Sequence, residues 1–219
     1  MIRNPSLLRL TFSLLVSAMG YQATTTSSEA ALDRDRAVLE EHDIPHGPLP
    51  EKHETHAATI TEAKDGTLVA AWFGGTDENH RDVKIWVSRK EKGAAWGEPV
   101  VADSGNRVVD GKEIEYSCWN PVLITDPTDG TVYLYYKISG TNGIDKGYHN
   151  WWGAVKTSSD NGKTWSGRIW LPTVSTEGDN KVLVPYEGHL CGPVKNRPVI
   201  LPDGSLLCGA STESKHGWR

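Results

Sequence analysis

The apolar positions of this chain come in short runs separated by polar, glycine-rich turns. Val83-Lys84-Ile85-Trp86-Val87-Ser88 alternates apolar and polar positions, as a half-buried strand does. Ala57–Ile60, Pro121–Ile124 and Pro198–Leu201 are compact runs, each followed within a few residues by an Asp-Gly pair. The pairs are Asp65-Gly66, Asp129-Gly130 and Asp203-Gly204, followed by Thr67, Thr131 and Ser205, then by another apolar run. Asp-Gly supplies positive φ cheaply, so each pair predicts a tight hairpin turn. Trp152–Thr157 takes the place in the second unit that Val83–Ser88 takes in the first, and Glu98–Val101 and Arg168–Leu171 supply a fourth strand to each. Four antiparallel strands repeated every 60–75 residues describe the blades of a β-propeller.

Three segments are expected. Residues 1–20 carry Arg3 and Arg9 ahead of the short apolar run Leu10–Met19, with Ala18 and Gly20 placed for cleavage after Gly20. That pattern predicts a signal peptide and an exported protein, periplasmic or secreted. Residues 21–52 form a polar linker, with a short helix expected over Glu29–Glu41 capped by Ser28. Residues 53–219 hold the repeats, with blades expected at about 53–104, 117–172 and 192–219.

The second unit continues into Ser158-x-Asp160-x-Gly162-x-Thr164-Trp165, which matches the Asp-box, the bacterial neuraminidase repeat, at its defining positions. On these residues the chain resembles the sialidase superfamily across roughly 53–219. The physics of the motif is that of a braced hairpin. Asp160 accepts hydrogen bonds from turn amides, Gly162 takes the positive φ, and Trp165 covers the blade edge. Ser88 through Gly93 to Trp96 is a worn copy without the Asp. The resemblance implies an all-β, six-bladed sialidase-type propeller, which at this repeat length needs about 400 residues. About two and a half blades are expected here, an incomplete member.

Topology then locates candidate chemistry. The Asp-Gly turns and the Asp-box share one rim, so the lead-ins to each first strand and the loops between second and third strands share the other. In sialidases the loop after the second strand of the first blade carries the acid/base aspartate. In Gly74–Asp82 that implies Asp82, adjoining the third strand, with Asp77 as the alternative. Sialidases also place an arginine of a Phe/Tyr-Arg-Ile-Pro motif at the first lead-in, where it grips the substrate carboxylate. Here His56-Ala57-Ala58 stands instead, so the first member of that cluster is missing, and Arg81 or Arg197 is the substitute considered. His56 becomes a candidate base or sugar hydrogen-bonding group, with an ordinary inner histidine as the bland alternative. Trp119, Asn120, Lys137, Trp151, Lys195 and Arg197 are the further candidate substrate contacts. The nucleophilic tyrosine and its glutamate belong to late blades, so neither is assigned.

Composition narrows the classes. Net charge is −5, against the basic footprint of nucleic-acid binders. No apolar run reaches the 18 or so residues of a membrane helix. Nine Trp against two Phe fits a sugar-facing surface or a repeated blade position. Cys118, Cys191 and Cys208 are an odd number and show no CxxC spacing. His53 and His56 would face opposite sides of a strand, so no metal is expected, and no cofactor. The expected function is an exported sialidase-like glycoside hydrolase, exo-acting on acidic or branched glycans. The alternatives are a non-catalytic carbohydrate-binding propeller, a protein-binding scaffold, and a polysaccharide lyase with His56 as base. The expected partner is a glycan.

Overall fold

The computed structural model describes residues 42–45, 47–139, 151–171, 173–174, 183–184, 189–190, 192–193, 195–209, 213–214 and 217–218. The expected signal peptide and linker helix lie outside them.

The first four-stranded sheet runs β1 (Glu54–Glu62), β2 (Leu68–Gly75), β3 (Lys84–Lys90) and β4 (Val100–Asp103), in that spatial order. A hairpin follows, β5 (Arg107–Val109) and β6 (Lys112–Ile114). The second sheet repeats the first with β7 (Cys118–Thr125), β8 (Val132–Ser139), β9 (Trp151–Ser158) and β10 (Ile169–Trp170). All pairings in both sheets are antiparallel. Shorter pieces complete the described chain. β11 (Thr173–Val174) pairs with β12 (Leu183–Val184) and β13 (His189–Leu190). β14 (Val199–Ile200) pairs with β15 (Leu206–Leu207), and β16 (Glu213–Ser214) with β17 (Gly217–Trp218).

The three Asp-Gly turns share one construction. Asp65, Asp129 and Asp203 each accept, through Oδ1, the amide two residues on, at 2.9, 2.8 and 2.9 Å. The glycines have φ of 86°, 84° and 84°, while the aspartates stay out of the left-handed region. These are therefore turns closed by one left-handed glycine, not two-residue turns with both central φ positive. That second geometry occurs at a fourth pair, Asp110-Gly111, with φ of 50° and 74°, which turns β5 into β6.

The sheets stack face to face. Val69, Ala71, Phe73, Ile85 and Val87 of the first pack with Leu123, Leu134, Tyr136, Ile138 and Ala154 of the second. Each fully buried Val, Leu, Ile or Phe among them contributes about 1.5–3 kcal/mol by area. The innermost strands lie side by side, since Thr61 Oγ1 and Thr125 Oγ1 are 3.0 Å apart and Leu123 N donates to Thr59 Oγ1 at 3.3 Å. The reverse face of the second sheet carries Val122, Ile124, Tyr135 and Val155, against which Ile200 of β14 packs. Successive sheets thus fan out from adjoining first strands, the arrangement of propeller blades.

A polar clasp fixes the first two blades together. Asp103, on the last strand of blade one, is buried. Its carboxylate takes Arg168 Nε at 3.0 Å, Arg168 Nη2, Tyr136 Oη at 2.6 Å and the Gly105 amide at 2.7 Å. Burial pushes the Asp103 carboxyl up, but these donors outweigh it and the group lies below the usual carboxylate range. Arg168 also donates to Asn106 O at 2.8 Å. The Arg107 guanidinium stacks 4.1 Å from the Trp152 ring centre and 4.8 Å from that of Trp170. This rooting holds the β5–β6 hairpin over the second blade.

Candidate functional site

The Asp-box end is structural. Ser158 Oγ donates to Asp160 Oδ1 at 2.7 Å and accepts from Gly162 N at 2.8 Å. Thr164 donates to Asp160 through its amide at 2.9 Å and its hydroxyl at 2.6 Å. The Thr164 hydroxyl, then its amide, hold the Asp160 carboxyl down to about 2. Gly162 has φ 79°, and a Cβ there would lie 3.0 Å from Val69 of blade one. Asn161 Nδ2 reaches Asp65 Oδ2 at 2.8 Å and Arg89 Nε reaches Asn161 O at 2.8 Å. The Asp-box of blade two therefore grips the Asp-Gly turn of blade one, at a single rim. Trp165 packs against the core between the blades.

Strand direction puts the other rim at the start of β1, the end of β2, the end of β4 and the start of β7. There the regular alternation breaks in both first strands at corresponding places. β1 shifts register between His56 and Thr59, and β7 between Trp119 and Val122. Ala57 and Asn120, the residues after His56 and Trp119, both sit in the left-handed region with φ of 52° and 42°. A bulge re-aims the side chain beside it, and such backbone strain collects at functional sites. The two re-aimed rings converge on one phenylalanine. His56 stacks on Phe73 at 5.4 Å and 28°, and Phe73 meets Trp119 at 5.4 Å and 47°. Phe73 is buried, His56 exposed and Trp119 half-buried. Lys137 pairs with Trp119 across the second sheet and is buried.

The loop between β2 and β3 joins this cluster through Glu54. Glu54 Oε2 accepts the Glu78 amide at 2.8 Å and lies 3.5 Å from His56 Nε2. The Glu78 amide, then His56, hold the Glu54 carboxyl below its ordinary range. Asp82 closes the loop on itself. It accepts Thr76 N at 3.0 Å and Thr76 Oγ1 at 2.6 Å, and His80 Nδ1 lies 2.7 Å from its Oδ1. Burial pushes the Asp82 carboxyl up, but the Thr76 and His80 bonds together outweigh burial and hold it below the usual range. Gly75 has no room for a side chain, because a Cβ there would lie 2.6 Å from Asp82 Oδ1. Asp77, the alternative acid, is exposed, and its carbonyl accepts the His80 amide at 3.0 Å.

The remaining candidates scatter. Arg81 is exposed on the same loop, and Lys195 and Arg197 are exposed ahead of β14. None of the three makes a hydrogen bond or ion pair with another described residue, so the described contacts do not join them to the His56 cluster. Trp151 opens β9, and its side chain lies outside the described residues. Trp72, Trp86 and Trp152 are blade-packing residues, with Trp86 Nε1 donating to Gly74 O at 3.0 Å. The sequence marks the lead-in at His56 and the Gly74–Asp82 loop but assigns no role to Glu54, Phe73, Thr76 or His80. Glu54 and His56 stand two apart, the strand spacing for a shared face, and Thr76 lies six residues before Asp82; those were the available signals.

Two cavities flank the blades. One, of about 310 Å³, is lined by Ile44, Pro45, Thr55, His56, Ala57, Ala58 and Trp72, at the His56 end. The other, of about 340 Å³, lies at the Asp-box end against Arg89, Glu91, Glu98 and Lys163. Size does not separate them. The second is bordered by Arg89, which holds the Asp-box loop of blade two, whereas the first includes His56 of the convergent cluster.

Comparison with known proteins bears on this geometry. The family described as the BNR repeat-like domain matches residues 66–219. The chain belongs to that family. Among solved structures, the Hadza microbial sialidase Hz136 is similar at 20% identity and a TM-score of 0.54, covering 74% of this chain and 33% of that one. A protein of unknown function from Dyadobacter fermentans is similar at 17% identity and a TM-score of 0.52, covering 76% of this chain and 49% of that one. No curated protein matches the chain. At these identities the likeness is one of fold, and this BNR-family chain spans between a third and a half of the two structures' lengths. The fold is a sialidase-type propeller of which the chain holds a part. Among the described residues no helix is long and apolar enough to cross a membrane.

Proposed function

We propose that this chain is part of an exported, sialidase-like glycoside hydrolase that acts at the ends of acidic or branched glycans. The observation carrying this reading is the convergence of His56, Phe73 and Trp119 from two blades beside a loop that fixes the Asp82 carboxylate, at the rim away from the Asp-box. Sugars need such a mixture: ring faces to stack their C–H surfaces, and a few fixed polar groups for their hydroxyls. Asp82 is the acid/base residue in this reading, His56 the hydroxyl-binding group, and Arg81, Trp119, Asn120, Lys137, Trp151, Lys195 and Arg197 the surrounding contacts. Free Asp82 is held ionised, so it acts as an acid only once a bound sugar desolvates it or displaces Thr76.

That same ionised state favours one second reading, a carbohydrate-binding propeller without turnover. The full chain, Asp82→Ala and His56→Ala are to be incubated with a panel of glycans and aryl glycosides, with released sugar and bound ligand both measured. Hydrolysis by the full chain, reduced about 100-fold or more in Asp82→Ala, supports the hydrolase. Binding without release supports the second reading. Ultraviolet-absorbing unsaturated products identify a lyase with His56 as base. Absence of both binding and release contradicts a glycan function. Export is tested separately, by sequencing the N-terminus of the secreted protein for cleavage after Gly20.

A further inference from the structure

We propose that the sugar unit seated on the first blade carries no carboxylate, and that Glu54 and His56 recognise a neutral sugar through its hydroxyls. This inference rests on the glycan reading above and narrows it.

The titratable groups that the start of β1 and the 76–82 loop carry at this rim are Glu54, His56, Asp77, Glu78, His80, Arg81 and Asp82. Four are carboxylates. Two of these, Glu54 and Asp82, are locked in place by backbone and side-chain donors. The donors that hold them also hold their negative charge, since hydrogen bonds to the charged form favour it. A sugar carboxylate placed beside His56 therefore meets fixed like charge. Against the fixed Glu54 and Asp82 the loop offers one cation, Arg81, exposed to solvent where its field is screened as those of Asp77 and Glu78 are; Lys137 belongs to the second blade, opposite Trp119.

The same groups suit hydroxyls. The Glu54 carboxylate has one oxygen, Oε1, outside the Glu78 bond, and it accepts from a hydroxyl. His56 is half exposed, with its face on Phe73 and its edge toward Glu54. A hydroxyl bridging the two both donates and accepts, which a carboxylate cannot do. Trp119 meets Phe73 at 5.4 Å and offers a ring to the C–H surface of the same sugar.

The test is calorimetric titration of the full chain with two sets of methyl glycosides. One set holds galactose, glucose and fucose; the other holds galacturonic, glucuronic and sialic acids. The expected result is at least a tenfold weaker Kd for every acidic sugar than for the best neutral one. That ratio should narrow in Glu54→Gln, which removes the charge and keeps the shape, and narrow further in His56→Arg, which adds a cation. Circular dichroism checks that both variants fold, and Glu54→Gln, at an exposed position, keeps the test decisive if His56→Arg does not. An acidic sugar binding as tightly as the best neutral one overturns the inference while leaving the glycan reading standing. A preference for neutral sugars unchanged in folded Glu54→Gln also overturns it. Failure of every glycoside to bind tells against the glycan reading itself.

Discussion

At the scale of single residues, the site is built at a cost that can be measured. Ala57 holds φ of 52°, a conformation that disfavours a Cβ by about 1–2 kcal/mol. Glycine avoids that clash but loses more backbone freedom on folding, by roughly 0.5–1 kcal/mol. Its methyl also packs against the core, worth up to about 0.8 kcal/mol. Ala57→Gly should therefore change stability in thermal unfolding by less than about 1 kcal/mol. A loss well above about 1 kcal/mol would show that the bulge carries no strain. Asp160 gives a pH test with a definite sign. Its folded pKa of about 2 is below the unfolded value near 3.8. Its contribution is thus fully present above the unfolded value and is lost as pH falls from about 4 toward 2. Asp160→Asn should flatten the acid limb of the stability profile across that window, measured by denaturant titration at successive pH values. An unchanged limb would remove the Asp-box carboxylate from the account.

Elements show what the chain's pattern made legible. The strands of both four-stranded sheets, their antiparallel order and the placing of the Asp-box between β9 and β10 follow from alternation and from Asp-Gly turns, because both signals are local. The β5–β6 hairpin was missed although Asp110-Gly111 is its turn, because it lies in a link between blades and repeats nothing. The bulges after His56 and Trp119 were illegible: alternation shows only which residues face in, and neither Ala57 nor Asn120 advertises its φ. The same holds for the clasp on Asp103, whose partners lie up to 65 residues away in sequence. That clasp predicts that elements, not only residues, depend on it. Arg168→Ala leaves the buried Asp103 carboxylate with Lys156 Nζ at 3.5 Å as its remaining cation, a change that costs about 1.5–3 kcal/mol. Urea unfolding should show a loss of that order together with release of Arg107 from Trp152 and Trp170. A loss under about 1 kcal/mol would place the blade-to-blade hold in the apolar core alone.

For the molecule as a whole, the account turns on two unlike rims. One gathers the Asp-Gly turns and the Asp-box, whose polar groups satisfy one another and bind blade to blade. The other gathers His56, Trp119, Glu54 and the Asp82 loop, whose groups are fixed yet turned outward. Antiparallel strands send alternate connections to opposite ends, and this second rim also carries the Asp103 clasp at the end of β4. The indole N–H resonances of the nine tryptophans report on both rims in one spectrum. Titrating the isotope-labelled chain with the best-binding methyl glycoside should shift Trp119 and leave Trp96 and Trp165 unmoved. Shifts at Trp96 and Trp165 with Trp119 unchanged would put the ligand at the Asp-box end and contradict the account.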